Sequence, residues 1–295
     1  NFDTSKVTNM YAMFNVMSSL TSLNLSNFDT SKVTDMSYMF AVTPKLTTID
    51  LSSFNTSKVM YMSSMFDGMS NLTTLDLSSF DTSKVTDMDF MFSSMRNITA
   101  LNLSNFDTSQ VTDMHNMFSS MSNLTTLDLS NFNTSKVTNM GWMFNGATNI
   151  TTLNLSSFDT SKVTNMKYMF SYVPNFTTLD LSSFDTSKVT DMSDMFSHMF
   201  NLTSLDISNF DTSNVIKTNR MFLLSDGYEY NDKLEKIYVN NDFNTSKLAE
   251  FSDMFRNRKK LRGGNGSYLA DPSTADKTWL RVDRPGVQGY FTRKP

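Results

Sequence analysis

MSSMFDGMSNLTTLDLSSF, residues 62–80, contains the unit from which nearly the whole chain is built. A Phe followed by Asp or Asn, then Thr and Ser, returns every 26 residues, and a tenth copy follows the ninth after 33 residues. These phenylalanines are Phe2, Phe28, Phe54, Phe80, Phe106, Phe132, Phe158, Phe184, Phe210 and Phe243. A constant period in this range predicts a solenoid, in which each unit buries its apolar face by stacking on its neighbours.

Two patterns inside the unit predict its local structure. The Leu-x-x-Leu-x-Leu motif, as in 72–77, ends in a period-two alternation, which predicts a short strand in a parallel sheet. Apolar residues spaced i, i+3, i+4 and i+7, as in 62–69, predict one face of a short helix. An Asp or Asn often precedes this stretch, as Asp35 and Asp87 do, in the manner of an N-cap. We therefore expect an α/β solenoid with parallel strands on one face and short helices on the other.

The repeated unit resembles the leucine-rich repeats of the BspA-type bacterial surface proteins. The resemblance covers roughly residues 1–262 and is carried by Leu-x-x-Leu-x-Leu-Ser-x-Phe-Asp-Thr-Ser-x-Val-Thr-x-Met-x-x-Met-Phe; Gly289-Tyr-Phe-Thr292 is also similar to the ends of such arrays. The resemblance implies a right-handed leucine-rich-repeat fold and a secreted, wall-associated adhesin in Gram-positive bacteria or similar organisms. It implies no active site, because a repeat defines the family.

We divide the chain into a solenoid of about ten repeats, 1–262, and a C-terminal capping segment, 263–295. Five of the nine glycines and three of the five prolines lie after Leu261. Two apolar stretches, 279–282 and 287–291, flank Arg284-Pro285-Gly286, and Pro followed by Gly suits a type II turn. These features predict a β-hairpin that covers the open end of the stack.

Composition excludes several classes of function. The net charge of −4 argues against a general nucleic-acid binder, and the absence of cysteine excludes disulfides and thiol chemistry. No apolar run approaches the ~20 residues that span a bilayer, so we expect no membrane insertion. The chain begins within a repeat and shows no signal peptide. We expect an extracellular, bacterial cell-surface protein whose export signal and anchor lie outside this sequence.

Motifs of enzymes and of metal or cofactor sites are missing from the sequence. His115 and His198 lie three repeats apart on predicted surface helix positions, and the chain has no Gly-rich phosphate loop, Gly-x-Ser-x-Gly or His-Glu-x-x-His. An Asp column on the sheet, including Asp50 and Asp76, leaves calcium open as an alternative, although the interleaved Asn argue against it. We predict a non-enzymatic protein without cofactor or metal.

Positions that vary between repeats are better candidates for ligand contacts than the constant ones. Aromatic residues flank the predicted helix stripe at several of these positions and would form an exposed patch, which is typical of partner or sugar contacts. The candidate ligand-binding residues are Tyr38, Phe90, Trp142, Tyr168, Tyr172, His198 and Phe200. The alternative is that these aromatics merely cover the edges of the core.

A basic run near the end of the array is a second candidate site. Ten of the 25 Lys and Arg, but three of the 29 Asp and Glu, lie from Arg256 onward. The candidate polyanion-binding residues are Arg256, Arg258, Lys259, Lys260 and Arg262. Residues 223–242 also break the period, and an insertion in a solenoid maps to a loop on one face.

Three functions follow from these features. The first is an adhesin segment that binds a host protein or glycan through a solenoid face. The second is a structural spacer, and the third is a polyanion-binding module that acts through the basic C-terminal end. The oligomeric state stays open.

Overall fold

A computed structural model describes residues 3–295, in which the 26-residue units stack as the coils of a solenoid. Five short strands have regular geometry: β1 Ala100–Leu101, β2 Thr126–Leu127, β3 Ser204–Asp206, β4 Lys236–Val239 and β5 Phe291–Arg293. β1 pairs with β2, and β3–β4–β5 form a second sheet; every pairing between these strands is parallel. The Leu-x-Leu pattern predicted a face of parallel strands, and this face forms. Regular strand geometry is confined to some of the coils. Within residues 3–295, no helix is long and apolar enough to cross a bilayer.

The predicted short helices are wrong. The only helices in the described part of the chain are three 3₁₀ turns, Glu229–Asn231, Pro272–Thr274 and Lys277–Trp279, all outside the regular repeats. The Met-Phe stretch of each coil is instead a run of overlapping turns, which we call the turn segment. The turn segments span 10–16, 36–42, 62–68, 88–94, 114–120, 140–146, 166–172, 192–198, 218–224 and 251–257.

Hydrogen bonds between coils explain why turns replace helices. In the first turn segment, alternate N–H groups donate to the next coil, as from Met10 to Asp35 and from Ala12 to Ser37, both at 2.9 Å. An α-helix would satisfy these donors internally, four residues back. Turning these donors toward the next coil requires some residues to adopt the left-handed backbone conformation, in which φ is positive. Of the described non-glycine residues, 17 have positive φ. The Asp and Asn residues predicted as N-caps still accept a backbone N–H at the start of the turn segment. For example, Asp35 Oδ1 accepts the N–H of Ser37 at 2.9 Å.

The spacing nevertheless identified the core residues correctly. Met62, Met65, Phe66 and Met69 are fully buried, as are their counterparts in most coils. Phenylalanines of successive turn segments stack nearly parallel from Phe14 to Phe255, with ring centroids 5.4–6.1 Å apart. Phe2 of the predicted Phe column lies outside the described residues.

The Asp-Thr-Ser motif joins each coil to the next through hydrogen bonds of its threonine. Thr108 is buried, donates its hydroxyl to the carbonyl of Asn133 at 3.0 Å and accepts the N–H of Asn133 at 2.8 Å. Equivalent threonines repeat this bridge along the stack. The Asp column of the sheet face also makes local bonds, since Asp50 Oδ1 accepts the N–H of Ser52 at 3.0 Å.

The C-terminal segment continues the stack rather than folding back as a regular hairpin. The predicted turn is present, with Gly286 at φ +79° and one antiparallel bridge between Arg284 and Val287. The following chain extends the sheet in parallel, since Phe291 of β5 pairs with Ile237 of β4. Phe291 is fully buried, with its ring centroid 4.7 Å from that of Phe243, so this segment covers the last coil.

Candidate functional site

Two columns of residues with left-handed backbone conformation run along the turn segments. The first left-handed column is Ala12, Tyr38, Ser64, Phe90, Asn116, Trp142, Tyr168, Asp194, Arg220 and Asp253; the second is Val16, Val42, Gly68, Ser94, Ser120, Gly146, Tyr172, His198 and Asn257. The two columns are four residues apart in each coil, so they run beside one another along the stack. Most of the variable positions singled out in the sequence belong to these columns.

Aromatic residues of the two columns form two stacks. Trp142 and Tyr168 of the first column stack with centroids 3.8 Å apart and planes 15° from parallel. Tyr172 and His198 of the second column stack at 3.8 Å and 9°. The two stacks line one open groove of about 660 Å³, which we call the aromatic groove. Four of the seven predicted aromatic and histidine candidates thus share one site.

An arginine–aspartate pair lies at one side of the aromatic groove. Arg220 donates from Nε and Nη2 to the carboxylate of Asp194 at 3.0–3.1 Å, and from Nη2 to the hydroxyl of Tyr168 at 2.8 Å. Asp194 is buried, and burial raises its pKa against the opposing effect of Arg220. The Arg220 side chain is 47% exposed, so the pair fixes a guanidinium at the surface of the groove.

His198 is buried, so its predicted exposed position is wrong. Its residue exposure is 4%, and its Nε2 accepts the N–H of Ser225 at 3.2 Å. The neutral ring therefore carries its proton on Nδ1, which is buried and lacks a partner among the described residues. Burial, together with Arg258 and Arg220, lowers the pKa of His198 to about 4, so the ring is neutral at pH 7.

The other three aromatic candidates lie outside the groove. Phe200 adjoins it, since its ring meets His198 edge-on at 6.1 Å and stacks on Tyr228 of the insertion at 5.2 Å. Tyr38 lies near the N-terminal end, 5.5 Å from Tyr11, and Phe90 packs against His115 at 5.2 Å. Ligand binding by any of these residues stays a prediction.

Arg258 does not belong to a surface polyanion site, which corrects that part of the basic-run prediction. It is 1% exposed and pairs with fully buried Asp232 at 3.0 Å. Its remaining N–H groups donate to the carbonyls of Phe196, Met199 and Phe222. Arg258 therefore joins its own coil to carbonyls of the two preceding coils.

Of the remaining basic residues, Lys259, Lys260 and Arg262 line one cavity, and Arg256 lies apart from them. Arg256 donates to Asp226 at 2.6 Å and borders the aromatic groove. Arg262 lies over the ring of Tyr268 at 4.3 Å. Lys259 and Lys260 are exposed, and together with Arg262 they line a separate, smaller cavity of about 270 Å³. Polyanion binding by these residues stays a prediction.

Sequence reasoning missed the polar residues Asn145, Asp194, Arg220, Ser225 and Asp226 of the groove. The period contained a signal for Arg220, because it follows Asp194 by 26 residues and therefore continues the column of Trp142 and Tyr168. No periodic signal identifies Ser225 and Asp226, which belong to the insertion. Within residues 3–295, no group of three or more His, Asp or Glu side chains is arranged to hold a metal ion.

A family model described as "Mycoplasma protein of unknown function, DUF285" matches residues 1–101, 62–178 and 142–268. Among solved structures, a leucine-rich repeat protein from Bacteroides ovatus is similar, with a TM-score of 0.55 and 14% identity, over 87% of this chain and 58% of that chain. The functional domain of InlJ from Listeria monocytogenes matches over 79% of this chain and 62% of its own, with a TM-score of 0.32 and 16% identity. The chain thus spans about three fifths of each structure. No curated protein sequence matches it. The first likeness shows a leucine-rich-repeat type of solenoid; the family found is the DUF285 family rather than a BspA-specific one.

Proposed function

The chain belongs to the family described as "Mycoplasma protein of unknown function, DUF285", and we propose that it is a non-enzymatic binding module of a bacterial cell-surface protein. In this proposal it is an adhesin segment that binds a host protein or glycan through the aromatic groove. The right-handed winding implied by the BspA-type resemblance belongs to the same proposal, as does the extracellular location.

The aromatic groove is the observation that carries the proposal. Trp, Tyr and Arg are the residues enriched at binding hot spots, and Trp142, Tyr168, Tyr172 and Arg220 meet there. The repeats otherwise present mainly Ser, Thr, Asn, Asp and Lys to solvent, so the aromatic lining distinguishes the groove from the surface around it. Solenoids provide extended surfaces on which such a local change defines a contact site.

The columns also show that the scaffold does not need these aromatics. Ala12 and Ser64 occupy the same left-handed position as Trp142 and Tyr168, and their N–H groups make the same bond to the next coil, at 2.9 and 2.8 Å. The hydrogen bonds between coils therefore form with a small side chain at this position. The bulky side chains at residues 142 and 168 are not needed for these bonds and are available for another role.

A binding array of matrix proteins and glycans tests the proposal. The parent and a Trp142→Ala/Tyr168→Ala variant are compared with a Tyr38→Ala/Phe90→Ala variant, which removes two aromatics from the same column outside the groove. We expect the parent to bind a member of the array, the groove variant to lose that binding and the control to keep it.

The other outcomes are equally informative. Binding that survives in the groove variant would place the contact elsewhere on the solenoid and refute the groove. No binding by the parent to any member of the array would favour the structural spacer over the adhesin.

A further inference from the structure

We infer that the aromatic groove is a subsite for a neutral glycan, with the free face of Tyr172 as the platform for one sugar ring. This inference rests on the binding role proposed above and names the chemistry of the ligand.

Tyr172 has one covered and one open ring face. His198 covers one face at 3.8 Å, yet the tyrosine is 43% exposed. The preceding residue of its column is Gly146, which has no side chain to cover the other face. The Gly146 N–H still donates to the carbonyl of Ser171 at 3.0 Å, so the ladder continues beneath the opening.

An open aromatic face suits a sugar ring. One side of a pyranose presents several C–H groups with weak positive charge, and the π-face of an aromatic ring is negative. Parallel contact buries the apolar side of the sugar and leaves its hydroxyl groups at the edge. Because His198 holds the tyrosine from behind, the platform is fixed before a ligand arrives, which lowers the entropy cost of binding.

The rim of the groove supplies both hydrogen-bond donors and hydrogen-bond acceptors. Arg220 and Arg256 present N–H donors, and Asp226, whose side chain is 72% exposed, presents acceptors. Sugar hydroxyl groups both donate and accept hydrogen bonds, so they need such a mixed rim.

Charge balance favours a neutral ligand. Arg220 pairs with Asp194 and Arg256 pairs with Asp226, while His198 is uncharged at pH 7. The groove therefore offers little net attraction to an acidic polymer.

An extended peptide is also a poorer fit, because peptides often bind by adding a strand to a free sheet edge. Here the N–H groups of Gly146, Tyr172 and His198 already donate to the next coil.

Two substitutions with opposite chemistry test the platform. Tyr172→Ala removes the ring, whereas Gly146→Tyr adds a ring over the open face. Tyr172 itself has φ +55° in this column, so the backbone of the column accommodates tyrosine. Phe90→Ala is the matched control, since it removes a half-buried aromatic from a left-handed position two coils away from Trp142.

The probes are cello-, malto-, manno- and chitohexaose, with hexagalacturonate as the acidic comparison. Titration calorimetry measures their binding, and a melting curve of each variant checks that it is folded. We expect the parent to bind at least one neutral hexasaccharide, both platform variants to weaken that binding at least tenfold and Phe90→Ala to leave it unchanged.

Failure of this inference is distinguishable from failure of the binding role. Full binding by Gly146→Tyr, or binding of hexagalacturonate alone, would overturn the platform. A groove-dependent matrix-protein partner without hexasaccharide binding would overturn the glycan while keeping the adhesin. No ligand in either experiment would overturn both.

Discussion

Replacing Arg258 by methionine should destabilise the protein strongly, although the substitution restores a residue type that the repeat already uses there. Arg258 occupies the core position that Met121 and Met199 hold in earlier coils. Its guanidinium is buried with the carboxylate of Asp232, so Arg258→Met leaves an uncompensated buried charge.

The magnitude follows from the contacts that remain. Asp232 would keep the N–H groups of Leu234 and Lys260, both at 3.2 Å, but lose its cation. The three carbonyls that Arg258 serves would lose a donor. Removing one member of a buried ion pair costs about 3–5 kcal/mol, and the added methionine offsets part of this. We therefore expect a loss of about 3 kcal/mol in the free energy of unfolding.

Urea unfolding at pH 7 measures this loss against two further variants. Arg256→Met removes an exposed arginine of the same sequence run and should cost far less than Arg258→Met, since its partner Asp226 is accessible to water. The double variant Arg258→Met/Asp232→Asn removes both charges and should be more stable than Arg258→Met alone. Equal losses for Arg258→Met and Arg256→Met would refute the buried pair, as would a double variant no more stable than Arg258→Met.

Two further predictions concern the core and the response to pH. Phe118→Ala should lower the free energy of unfolding by about 3–5 kcal/mol, because Phe118 is fully buried between two phenylalanine rings at 5.9 Å. Phe90→Ala, at a half-buried position, should lower it clearly less in the same urea series. Equal losses would contradict the core assignment. Burial, reinforced by the nearby carboxylates of Asp89 and Asp113, raises the pKa of Asp87 to about 7. The folded state therefore binds the proton of Asp87 more tightly than the unfolded state does. As a result, the protein loses stability as the pH rises from about 4 through 7. Asp87→Asn should therefore melt at a higher temperature than the parent at pH 8 and at a similar temperature at pH 4, whereas Asp76→Asn, at an exposed turn, should show no gain at pH 8. A lower melting temperature for Asp87→Asn at pH 8 would contradict the assignment.

The sequence was sufficient to identify the buried positions but not the backbone conformation that buries them. The spacing of Met62, Met65, Phe66 and Met69 fixes which side chains share a face, and a helix and a run of turns meet that condition equally well. The choice between them depends on acceptors about 25 residues away in the next coil, which no local pattern contains. Val16 and Val42 show the difficulty, because β-branched residues at φ +58° and +56° contradict ordinary conformational preference.

The candidate site was predictable to the extent that it is periodic. Trp142 and Tyr168 lie 26 residues apart, as do Tyr172 and His198, so their proximity follows from the repeat alone. The position of Arg258 was harder to predict. It aligns with Met199 only when the 33-residue interval across the insertion is taken into account. The insertion also supplies Asp232, and no pattern in the chain predicts that pairing.

The left-handed columns explain how a rigid array accommodates a variable surface. At these positions the backbone N–H bonds to the next coil whatever the side chain, so the ladder includes Ala12 and Trp142 alike. The side chains that hold the coils together occupy other columns, such as those of Phe118 and Thr108. Because stability and surface chemistry are assigned to different positions of the unit, the first column changes from Phe90 to Asp194 without interrupting the stack. A groove of this kind therefore requires aromatic residues in only two or three neighbouring coils, while the remaining coils hold its walls at a fixed spacing.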